Sequence, residues 1–82
     1  MPRITAVIEK KHILPYLEAR GLKDQYIKAK NYLLAGDTKS VFFKELEPQH
    51  SNTWYFRINK QFRAICFFDG NDLIVAKIDN HQ

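Results

Sequence analysis

At Val41 the spacing of apolar residues changes, and that change sets the fold class. Upstream, Leu22, Tyr26, Ala29 and Leu33 recur at intervals of four, three and four, one face of a helix from Leu22 to about Ala35. Ile27 and Leu34 widen the stripe, Lys23, Lys28, Lys30 and Asn31 fill the remaining surface, and Gly36-Asp37 ends the helix. A shorter helical stretch from about Lys10 to Arg20 carries Ile13, Leu14 and Leu17 on one side. Pro15 is tolerated there only in a first turn, and Gly21 suits the C-terminus. Residues 3–8 are β-branched and roughly alternating, as expected of a short first strand. From Val41 onward the period is two, which predicts strands at about 41–47, 54–59, 62–68 and 72–78. Asp69-Gly70-Asn71 is a strong hairpin signal, Asn59-Lys60-Gln61 makes a second short reversal, and Pro48 to Asn52 forms the main loop. The expected architecture is α+β: an N-terminal strand and a helical hairpin packed on a mostly antiparallel sheet of four to five strands, one domain over 1–82.

A chain of 82 residues buries only about 60–65% of its unfolded surface, so its core must be dense; six Phe, four Tyr and one Trp supply it. A hydrophobic content of 45% argues against disorder. The lone Cys66 has no internal disulfide partner and sits in the apolar run of a strand, where it reads as core. No apolar run approaches the roughly 18 residues of a membrane span, and the N-terminus lacks an apolar signal segment, so a cytoplasmic location is expected. Thirteen Lys and Arg against nine Asp and Glu give a net charge of +4, a field that favours nucleic acid or an acidic partner.

Two arginines stand where a stable sheet gains nothing from them. In the strand over 54–59, Tyr55, Arg57 and Asn59 face away from Trp54, Phe56 and Ile58; in the next strand Arg63, Ile65 and Phe67 share a face. With a reversal spanning Asn59 to Gln61, Arg57 lies directly across from Arg63. Like charges so placed destabilise the pair, which points to an anion between them. A tighter, two-residue turn shifts the register by one and removes the coincidence. Solvation, or pairing with Glu45, Glu47 or Asp79, is the alternative; phosphate is the ligand that two planar guanidinium groups fit best. His81, one residue from the end of the sequence, has a side chain that gives or takes a proton at neutral pH and would suit a leaving oxygen beside those arginines. His12, at a helix edge, and His50, in a loop, read as surface residues. The sequence has no metal-ligand cluster, and neither a metal nor a cofactor is expected.

The run Tyr55-Phe56-Arg57-Ile58-Asn59-Lys60-Gln61-Phe62-Arg63-Ala64-Ile65-Cys66-Phe67, then Asp69-Gly70-Asn71, a strand and Ile78-Asp79-Asn80-His81, resembles the C-terminal half of RelE/ParE-superfamily toxins. It is most similar to the HigB and YoeB branches, where a RIN-x-Q-[FW]-R stretch precedes a strand hairpin ending in a histidine. The likeness is specific over 41–82 and architectural over 1–40. It implies the toxin of a type II toxin-antitoxin system, an endoribonuclease that cuts mRNA on the ribosome without a metal, by attack of a 2′-OH on the adjacent phosphate. Carried over by position, Arg63 matches the arginine that stabilises the transition state, Arg57 the second basic residue, and His81 the general acid or base. The YoeB-like glutamate falls on Lys44 and its nearby lysine on Glu47, so the general base stays open between Lys44 and Glu47; Gln82 replaces a tyrosine. Lys23, Lys28, Lys30, Lys39 and Lys60 are candidates for resting on 16S ribosomal RNA, although any one of them also reads as a solubilising surface charge. The implied partners are a cognate antitoxin, in a hetero-oligomer, and the mRNA-bearing ribosome. Two other readings fit the same fold: a ParE-like inhibitor of DNA gyrase, and a non-catalytic member that only binds a partner.

Overall fold

The computed structural model describes residues 3–80, so His81 and Gln82 lie outside the described residues. The elements are β1 (Ala6–Glu9), α1 (Ile13–Ala19), α2 (Lys23–Leu34), a 3-10 turn (Lys39–Val41), β2 (Lys44–Glu45), β3 (Trp54–Arg57), β4 (Phe62–Asp69) and β5 (Asp72–Asn80). The strands form one mixed sheet in the order β1-β5-β4-β3-β2, in which β1 runs parallel to β5 and all other neighbours are antiparallel. Both helices lie on one face. The α+β class and the order of elements are those the period change predicts. None of the described helices is long and apolar enough to cross a membrane.

Ile13 and Leu17 of α1, with Leu22, Tyr26, Ala29 and Leu33 along α2, are buried against Phe56, Ala64, Cys66, Leu73 and Val75 of the sheet. Pro15 is the third residue of α1, where its missing N–H leaves no intrahelical bond unmade. At the end of α2, Gly36 takes a φ of 83°, and the Gly36 and Asp37 N–H groups donate to the Leu33 and Tyr32 carbonyls. Burial pushes the Cys66 thiol up to about 12, as suits a core position.

β1 is tied to α2 by a polar contact beneath the apolar layer. The Tyr26 hydroxyl donates to Glu9 Oε2 at 2.6 Å, and Lys30 Nζ donates to the same oxygen at 2.8 Å. Burial alone raises the Glu9 carboxyl, but the hydrogen bonds from Lys30 and Tyr26 and the Lys30 charge outweigh it and hold the group below its ordinary value.

Four expectations are corrected. Residues 3–5 precede β1, which runs instead to Glu9. The strand expected over 41–47 shrinks to two residues, because the 3-10 turn ends at Val41 and Phe42 takes left-handed angles (φ 54°, ψ 41°) that break an extended run. Ile27 and Leu34 do not widen the buried stripe of α2; both are exposed. Finally, β5 is not a uniform alternation. Ile65 faces Lys77 but Cys66 faces Val75, which leaves Ala76 as the extra residue of a β-bulge. The bulge reverses the alternation, so that Leu73, Val75 and Ile78 are buried while Lys77 is exposed.

Candidate active site

The face of the sheet away from the helices holds the arginines. Arg57 lies directly opposite Arg63 in the β3–β4 register, and Arg63 lies opposite Asp79 in the β4–β5 register. Opposed residues share a face, so these three side chains form one row across the sheet. The next row runs Lys44, Tyr55, Ile65 and Lys77.

The β3–β4 turn fixes this register. Asn59 Oδ1 accepts from the Gln61 and Phe62 N–H groups, both at 2.8 Å, and Asn59 Nδ2 donates to Gln25 Oε1 at 2.7 Å, tying the turn to α2. Gln61 Nε2 donates to Asn80 Oδ1 at 2.9 Å, which joins the same turn to the end of β5. The reversal therefore has the length that opposes Arg57 and Arg63.

The two guanidinium groups turn apart. Arg63 leans toward β5: its Nη2 donates to Asp79 Oδ2 at 2.9 Å, and its guanidinium carbon stands 4.7 Å from the centroid of the Tyr55 ring. Its Nε is buried and has no hydrogen-bond partner among the described residues. Arg57 leans the other way, its guanidinium carbon 4.2 Å over the Phe42 ring. Among the described residues Arg57 forms no ion pair. Of the carboxylates weighed as alternatives, Asp79 takes Arg63, while Glu45 instead accepts from the Asn52 N–H. The Ala76 bulge is what brings Asp79 to this face.

The other candidates divide. Lys44 is exposed and sits on the arginine face, opposite Tyr55. Glu47 lies in the loop beyond β2, where no strand pairing holds it on that face. His81 is outside the described residues; its neighbour Asn80 pairs with Phe62, one position from Arg63. The lysines do not share one surface. Lys23 pairs with Glu18 at 3.5 Å, Lys28 faces a groove beside Arg57, Lys39 opens the 3-10 turn, and Lys60 is exposed in the β3–β4 turn. Lys30 is corrected: half-buried and bound to Glu9, it is a structural cation rather than a free one. Among the described residues no group of three or more His, Cys, Asp or Glu side chains comes together that would hold a metal.

Tyr55 and Phe42 carry no mark in the sequence beyond their aromatic type, yet each stacks on one of the two arginines. Alternation alone places Tyr55 on the arginine face; nothing in the sequence announces the left-handed backbone of Phe42.

No protein-family model and no curated protein matches the chain. Among solved structures, the chain is similar to the YoeB dimer from Staphylococcus aureus, with a TM-score of 0.69 and 13% sequence identity over 98% of this chain and 99% of that one. The fold expected from the run over residues 41–82 is thus met over nearly the whole chain, which shares the fold of that structure.

Proposed function

We propose that this protein is the toxin of a type II toxin-antitoxin system and that it cuts mRNA on the ribosome. The observation that carries this reading is the Arg57–Arg63 pair on the helix-free face. Two cations held opposite each other destabilise a sheet unless an anion is their business, and among the described residues only Arg63 is neutralised from within.

In the proposed reaction a base takes the proton of a ribose 2′-OH, the oxygen attacks the neighbouring phosphorus, and the 5′ oxygen leaves with a proton. The phosphorane carries added negative charge. A preorganised donor aimed at such charge is worth about 10²–10³ in rate. Arg63 fits this role, because an aromatic ring and a carboxylate hold its guanidinium in place. Arg57 supplies the second positive group and His81 the acid. Lys44, on the same face, suits the base better than Glu47 does. Lys28, Lys39 and Lys60, exposed and without a carboxylate partner among the described residues, are left to meet ribosomal RNA. Lys23 is a weaker candidate, since it is already paired. A cytoplasmic location and capture by an antitoxin belong to the same reading.

The test is to add the purified chain to translating ribosomes and map the 5′ ends of the message. New ends clustered within the ribosome-covered codons are expected, and they should disappear with His81→Ala. A message left whole while growth still arrests would favour gyrase inhibition instead.

A further inference from the structure

Beside the arginine row lies a groove of about 500 Å³, between α2 and the end of β3. Gln25, Lys28, Tyr32, Ser40, Arg57 and Asn59 face it, and none of its lining residues is acidic. Asp37, two residues before the 3-10 turn, is turned onto the Ser40 N–H and hydroxyl. Two cations with amide and hydroxyl groups between them make a lining for a polyanion.

Phe42 adds an independent sign. It follows Val41, which also lines the groove, and its ring carries the Arg57 guanidinium. The residue is 55% exposed and is held at a φ of 54°. A bulky side chain in left-handed backbone costs free energy, and this one recovers little of it by burial. Strain of this kind collects where a side chain is needed for something other than packing. An exposed aromatic face beside an arginine and a lysine is what a single-stranded nucleic acid uses, with a base on the ring and phosphates on the cations.

We propose that the Phe42–Arg57 edge and the Lys28 groove hold a nucleotide of single-stranded RNA adjacent to the linkage cut at Arg63. The inference rests on the ribonuclease reading, because Arg57 belongs to both places. RNA is favoured over an acidic protein segment by the exposed ring of Phe42, which carboxylates do not use.

The test is binding of a fluorescein-labelled oligoribonucleotide carrying 2′-O-methyl groups throughout, which has no attacking hydroxyl and so reports binding alone. Phe42→Gly should weaken it about tenfold. The same variant should melt no lower than the parent, because glycine accepts the positive φ. Lys28→Ala should weaken binding and lower the salt slope by about one. Failure of the parent chain to bind at low salt, or unchanged affinity in both variants, overturns the proposal. So does an equal loss for labelled polyglutamate, which would make an acidic protein segment the occupant. Selective loss of RNA binding without any cutting on ribosomes would support the groove and defeat the ribonuclease reading; cutting with unaffected variants would do the reverse.

Discussion

Asp79 accepts a hydrogen bond from Arg63 at 2.9 Å, and it reaches that position only because Ala76 bulges out of β5 two residues after the Ile74–Phe67 pair. The carboxylate and the Tyr55 ring together set the direction of the guanidinium. A catalytic arginine held this way loses little entropy when it meets a phosphorane, whereas a loosened one must be ordered during the reaction. Asp79→Ala should therefore slow cleavage by about tenfold to a hundredfold while binding of an uncleavable strand persists. Asp79→Asn, which keeps an acceptor, should recover part of the rate. Single-turnover cleavage of ribosome-bound message measures both. The pair is partly exposed, so its stability contribution is about 1 kcal/mol or less.

The bulge makes its own prediction. Deleting Ala76 removes the extra residue and leaves simple alternation with Val75 and Ile78 inward and Lys77 and Asp79 outward, so every side chain keeps its face. The deletion variant should therefore still melt cooperatively by circular dichroism, and a chain with no cooperative transition would contradict this assignment of the bulge.

These two cases mark what was legible in the sequence. The Arg57–Arg63 register was, because Asn59-Lys60-Gln61 is short and Asn59 satisfies its own turn. The buried stripe of α2 was also legible, because its spacing follows one helix face. The bulge was not, since simple alternation puts Lys77 on the buried face with Leu73 and Val75, and which residue is extra depends on the partner register. Lys30 was misread as a free surface cation because its partner, Glu9, is distant in sequence and only the packing of β1 against α2 brings them together. The directions of the arginine heads depend on Phe42, Tyr55 and Asp79 jointly, which no local pattern encodes.

The Glu9 contact predicts a pH dependence. Its carboxyl is held below the ordinary value of 4.5, so the stability it contributes is fully present above that value and is lost as pH falls through the lower, folded-state value. Melting temperature should fall on acidification below about pH 4.5, and Glu9→Gln should show a shallower acid dependence over that window. Tyr26→Phe removes a buried donor to a charged acceptor. It should lower the unfolding free energy by about 2 kcal/mol in urea titrations.

The most direct test of the catalytic assignment is the single-turnover rate at which Arg63→Ala cuts message on programmed ribosomes. If the guanidinium held by Tyr55 and Asp79 stabilises the phosphorane, the rate falls by about a hundredfold or more while the variant still folds and still associates with ribosomes. An Arg63→Ala chain that cuts at the parent rate would contradict it.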